Sequence, residues 1–180
     1  MSQRSSPAPA RLLFSVIYRE EEDFEKALRR IAGRMGEVAC TSEPFPFDRT
    51  EYYNREMGTP LVRRFVVTND PVSRDVLATV KLLAETIEQE LSVGGKRTVN
   101  IDPGLLAEEN VVLATGKNYS HRIYLRDGVF ADLTLVFEKG EYRPLPWTYP
   151  DYASPAIRDF LGGLRRGNRE ARRRPTKGDS

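Results

Sequence analysis

The chain has 180 residues, with 28 basic and 26 acidic side chains, a net charge of +2 and 39% hydrophobic residues. That length and composition suit one globular domain with a sizeable core, and no apolar run approaches the roughly 20 residues that span a bilayer. A single cysteine, Cys40, excludes an internal disulfide, and a single histidine, His121, excludes any site built on two imidazoles, so no metal site is predicted.

No N-terminal stretch has the makings of a signal peptide, and a cytoplasmic location without membrane contact is expected. Residues 1–10, rich in Ser, Pro and Ala, read as disordered, residues 11–157 as a single α+β domain, and residues 158–180 as a short helix with a basic disordered tail. The last 23 residues hold eight of the basic side chains and only three of the acids. Such a tail is either a solvated end or a contact for nucleic acid.

Residues 11–18 form a nearly continuous apolar run, the pattern of a strand buried on both faces. Phe24, Leu28, Ile31 and Met35 then recur at helical spacing, with Gly36 as the stop. Residues 38–42 read as a second strand, and residues 45–54 as an aromatic-rich connection broken by Pro44 and Pro46. Residues 61–68 are a strand. Asn69-Asp70-Pro71 should open a second helix, with Asp70 as its cap and a stripe of Val76, Val80, Leu83, Ile87 and Leu91. Residues 97–101 form the next strand, Asp102-Pro103-Gly104 reads as a turn, and residues 111–115 as another strand. Asp127-Gly128 marks a two-residue hairpin, and Lys139-Gly140 leads to a last strand near residues 141–145. Residues 153–166 carry a terminal helix. The order strand, helix, strand, strand, helix, strand predicts a ferredoxin-like (split βαβ) core of two helices on a mostly antiparallel sheet, extended by a C-terminal hairpin and extra strands.

The hairpin supplies a candidate site. A two-residue loop sets Arg126 against Val129, Leu125 against Phe130, Ile123 against Asp132 and His121 against Thr134. Asp132 is then the diagonal neighbour of His121 on the same face, about 7–8 Å away at Cα, and the two could form an acid/base pair. The alternative is a structural histidine neutralised by that carboxylate. Lys117 and Arg122 could clamp an anion beside Asn100, and Asp102 serves either as a turn cap or as a further catalytic carboxylate. Trp147, Tyr149 and Tyr152 read as a packed terminal arm, with a base-stacking platform as the alternative. The expected function is binding of a small anionic ligand, phosphorylated or nucleotide-like, with hydrolase or transferase chemistry as an option and no cofactor named by any motif. The alternative is an RNA-binding module using the sheet and the arginine-rich tail. A sheet-type RNA reader needs exposed aromatics, whereas Phe14, Phe65 and Val99 sit in apolar company.

Four blocks carry a resemblance: Tyr53-Asn54-Arg55-Glu56-Met57-Gly58, Val99-Asn100-Ile101-Asp102-Pro103-Gly104, Lys117-Asn118-Tyr119-Ser120-His121-Arg122-Ile123-Tyr124-Leu125 and Trp147-Thr148-Tyr149-Pro150-Asp151-Tyr152. In order and spacing they resemble an uncharacterised bacterial domain family of about this length, some of whose members carry a GTP-binding label. The resemblance assigns no catalytic residue; it implies only that Glu56 lines the same cleft. A phosphate loop is absent: before Gly116-Lys117, position 111 is Val rather than Gly, and position 118 is Asn rather than Ser or Thr. A P-loop GTPase is therefore excluded, and nucleotide binding by another geometry is left open.

Overall fold

The computed structural model describes residues 3–173. Its strands are β1 (Ala10–Tyr18), β2 (Val38–Thr41), β3 (Phe45–Pro46), β4 (Val62–Val72), β5 (Val99–Leu106), β6 (Asn110–Thr115), β7 (Arg122–Arg126), β8 (Val129–Glu138) and β9 (Glu141–Pro144). They form one antiparallel sheet in the order β2-β4-β1-β5-β6-β8-β7, with β3 on β4 and β9 on β8. The helices are α1 (Glu21–Met35), α2 (Asn54–Met57), α3 (Leu77–Leu91) and α4 (Pro155–Arg173).

Strand β1 lies between β4 and β5, and every residue from Leu12 to Tyr18 is buried. Its alternate side chains serve two cores. Leu12, Phe14, Val16 and Tyr18 face α1 and α3, meeting Phe24, Ile31, Ala84 and Ile87. Leu13 faces the other way with Phe65, Val67 and Leu135, under Ile157 and Leu161 of α4. Helices therefore cover both sides of the sheet. Three acidic residues open α1 and Arg34 sits in its last turn, each favourable to the helix dipole.

Several expectations change. Asn69-Asp70-Pro71 opens no helix. Strand β4 runs on to Val72 because Pro71 pairs with Arg11 and Val72 with Ala10 at the sheet's end. The helix begins later, through a 3-10 turn at Arg74–Val76. Its buried stripe is Leu77, Ala78, Val80, Lys81, Ala84, Ile87 and Glu88, so two charged residues sit where only apolar ones were expected. Asp102-Pro103-Gly104 is no turn either; all three lie inside β5, opposite Ser15, Phe14 and Leu13. The connection at residues 45–54 contains β3 and leads into α2. Residues 3–9 are exposed and outside regular structure, although the Ala8 carbonyl accepts a hydrogen bond from Arg74 Nε at 2.8 Å.

The predicted basic tail is helical as far as Arg173, and residues 174–180 lie outside the described part of the chain. Two of its arginines dock on the body. Arg158 donates to the carbonyls of Ala153 and Tyr142, and Arg165 donates to that of Glu108 while lying 3.4 Å from the Phe137 ring centre.

The β7–β8 pair turns at Asp127-Gly128, both with positive φ as the two-residue turn requires. Its register differs from the expected one. An irregularity between Tyr124 and Arg126 shifts the pairing, so that Tyr124 meets Phe130, Ile123 meets Ala131 and Arg122 meets Asp132. A one-residue slip exchanges the faces, and Arg122 takes the place beside Asp132 that His121 was expected to hold.

Candidate functional site

Strands β5 and β6 are paired only at Gly104–Leu113, Leu105–Val112 and Leu106–Val111. Before Gly104, residues Val99–Pro103 leave their outer edge unpaired, while Ala114 and Thr115 continue pairing with β8 alone. The sheet therefore splits. Gly104 marks the point of divergence, since a Cβ there would lie 2.7 Å from the Val112 carbonyl oxygen and 2.7 Å from Leu113 Cδ2. The open edge is chemically provided for. Pro103 has no N–H to leave unsatisfied, and the Ile101 N–H donates to Glu88 Oε1 at 2.5 Å.

A cleft of about 500 Å³ occupies this split, within the range of small-molecule sites. Asn100 and Asp102, opposite Ile17 and Ser15, lie on the sheet face away from α3. Lys81 belongs to α3 on the other face, yet its Nζ lies 3.6 Å from Asp102 Oδ1 and 3.8 Å from Glu85 Oε1. The lysine side chain thus passes through the gap in the sheet. It is only 9% exposed, and its ammonium has no hydrogen-bond partner among the described residues, only those two longer ion pairs.

A polar chain runs along one wall. Glu56 accepts from Arg97 Nε at 2.9 Å, from its NH2 at 2.7 Å and from its backbone N–H at 3.1 Å. Arg97 NH1 donates to Asn100 Oδ1 at 3.0 Å, and Asn100 Nδ2 donates to Asp102 Oδ2 at 2.8 Å. The Arg97 hydrogen bonds hold the Glu56 carboxyl below its ordinary range. Glu56 itself lies in an adjoining hollow rather than in the cleft, so its action on the site passes through Arg97. Behind them Glu88 is buried, and burial pushes its carboxyl up to about 7 against the opposing pull of the Ile101 N–H and Lys81.

On the opposite wall Arg122 is fully engaged. Its Nε donates to Asp132 Oδ2 at 2.8 Å, its NH1 to the Lys117 carbonyl at 3.0 Å and its NH2 to Tyr149 Oη at 3.1 Å, with its guanidinium 4.6 Å from the Tyr119 ring centre. Arg122 thereby braces the 117–119 loop to β8 while its side chain lines the cleft. His121 precedes β7 and does not line the cleft. Its ring stacks between Trp147, at 5.0 Å, and Tyr119, at 6.1 Å. Its Nε2 is 3.4 Å from Asp132 Oδ2 but outside hydrogen-bonding geometry, and that oxygen already accepts from Arg122. Lys117 is exposed at the mouth, 4.2 Å from the Tyr52 ring centre.

Six cationic side chains and four carboxylates line the cleft. Three of the cations are arginines already bonded to carboxylates: Arg63 to Asp151, Arg97 to Glu56 and Arg122 to Asp132. Arg49, Lys81 and Lys117 have no carboxylate within hydrogen-bonding distance among the described residues. Of the expected residues, the cleft thus gathers Asn100, Asp102, Lys117, Arg122 and Asp132. It adds Lys81, Arg63 and Arg97, which sequence reasoning missed. The overlooked signal was Lys81, Ala84 and Glu88 at i, i+3 and i+7, two charges on the apolar stripe of a helix. No group of three or more potential metal ligands occurs among the described residues. No helix there is long and apolar enough to cross a membrane. Phe14, Phe65 and Val99 are completely buried, leaving no aromatic stacking platform at those positions of the sheet.

No curated protein and no solved structure matches the chain. Residues 8–167 match a family described only as a domain of unknown function (DUF4416), and the chain belongs to that family.

Proposed function

We propose that the split in the sheet is a binding site for a small anionic ligand of the phosphorylated or nucleotide-like kind. Lys81 receives the anionic group inside the cleft, and Lys117 and Arg49 attract it at the mouth. One observation carries this reading: a lysine threaded through the sheet gap, nearly buried, with no hydrogen-bond partner for its ammonium among the described residues. An incoming anion would supply the hydrogen-bond acceptors that this ammonium lacks. Asp102 is the carboxylate available to a proton on the ligand. In this reading His121 supports the wall by stacking on Trp147, and Asp132 anchors Arg122, so the two do not act as an acid/base pair. The order β2-β4-β1-β5 with α1 and α3 on one face also supports a ferredoxin-like core, to which β6–β9 and α4 are additions.

Thermal-shift and calorimetric screening of the full chain against phosphate esters and nucleotides tests the proposal. A ligand at a hundred times its dissociation constant adds about 2.7 kcal/mol, a rise of roughly 5–10 °C for a protein of this size. Lys81→Met should lower the affinity at least tenfold. A panel without any shift, or unchanged affinity in Lys81→Met, refutes it.

A further inference from the structure

We propose that Lys81 is also a covalent group, condensing with the carbonyl carbon of an anionic aldehyde or ketone to form a protonated imine. This rests on the cleft being an anion site and goes further by naming the ligand class: with a carbonyl ligand, Lys117 and Arg49 keep the anionic group while Lys81 turns to the carbonyl. The geometry has three parts. The amine of this nearly buried side chain projects into a cleft large enough to hold a small sugar phosphate or oxo acid. Asp102 Oδ1 stands 3.6 Å from Nζ and Glu85 Oε1 3.8 Å, so two proton acceptors lie close to the nitrogen. Asp102 is in turn oriented by Asn100, Arg97 and Glu56 through consecutive hydrogen bonds.

The step balances without an outside reagent. Lys81 passes one ammonium proton to Asp102, and the freed amine attacks the carbonyl carbon. The carbonyl oxygen becomes a hydroxyl with that proton. A second proton from the nitrogen, carried by the same carboxylate, lets the hydroxyl leave as water, and the nitrogen lone pair closes the C=N bond. The sum is ammonium plus carbonyl giving iminium plus water. The iminium keeps the positive charge of the ammonium, so the ion pairs to Asp102 and Glu85 persist and no uncompensated carboxylate is created in the gap. A lysine meant only to balance charge has no need to reach through a sheet to an open cavity.

The test treats the full chain with glyceraldehyde 3-phosphate and sodium cyanoborohydride, which delivers hydride to an iminium carbon, followed by peptide mass mapping. Glycerol 3-phosphate, with the same anion and no carbonyl, serves as competitor and binding control. The expected result is a single adduct on Lys81, suppressed by glycerol 3-phosphate and absent from Lys81→Arg, which keeps the charge. Adducts spread over exposed lysines such as Lys96 and Lys139 without enrichment at Lys81 overturn the covalent role, as does an equal adduct yield in Lys81→Arg. If glycerol 3-phosphate still raises the melting temperature in that case, the anion site stands and only the imine falls. If it raises nothing and no Lys81 adduct forms, both fall.

Discussion

Glu88 offers a stability experiment whose size follows from its burial. The residue is 6% exposed beneath the open edge of β5, and its carboxyl's folded value of about 7 exceeds the ordinary 4.5. A carboxyl with a raised folded value contributes stability that is complete below pH 4.5 and is lost as pH rises through 7. Roughly 2.5 pH units at about 1.4 kcal/mol each make that loss about 3 kcal/mol. Glu88→Gln keeps an oxygen to accept the Ile101 N–H and removes the ionisation. Urea unfolding of both proteins at pH 4 and pH 8 isolates the effect, because every other titrating group cancels in the difference. The glutamine variant should gain about 3 kcal/mol on the wild type between the two pH values. A difference that stays constant with pH would show that the Arg97 and Lys81 charges fully offset the burial of Glu88.

Three further outcomes follow from other contacts. Arg122→Ala leaves Asp132 buried without its guanidinium and should cost about 3–5 kcal/mol in denaturant unfolding, whereas the paired change Arg122→Met with Asp132→Leu should recover most of that loss. Gly104→Ala forces a methyl against the Val112 carbonyl and should cost about 1–3 kcal/mol; an unchanged melting temperature would mean the strands separate freely at that point. His121→Ala should alter the emission of Trp147, the sole tryptophan, while changing phosphate-ester affinity less than about threefold, since the imidazole stands outside the cleft. A loss of binding beyond tenfold (about 1.4 kcal/mol) would return His121 to the site.

Strand and helix periodicity made much of the architecture readable, because Leu12 to Tyr18 and Phe24 to Met35 each carry a single burial pattern. What misled were signals with two meanings. Pro71 and Pro103 each follow an aspartate and look like turn residues, yet both lie in strands where pairing over a long sequence distance outweighs local preference. The register of β7 depended on an irregularity at Leu125 that no residue type announces. That single slip set Arg122 opposite Asp132 and gave it the hydrogen bond, while His121 still stands 3.4 Å from the same carboxylate oxygen. Lys117, Asn100 and Asp102 could be grouped because they stand at neighbouring strand ends. Lys81 could not, since its role depends on a gap that exists only once β5 and β6 diverge.

The divergence also divides the backbone. Five strands, β1 to β5, stand on one side of the seam and the four strands β6 to β9 on the other, joined by three rungs from Gly104 to Leu106. A molecule lodged in the seam would act as a clasp between the two panels, adding crossbars where the ladder has none. Its arrival would then be felt as slower amide exchange along both margins, including positions it never touches.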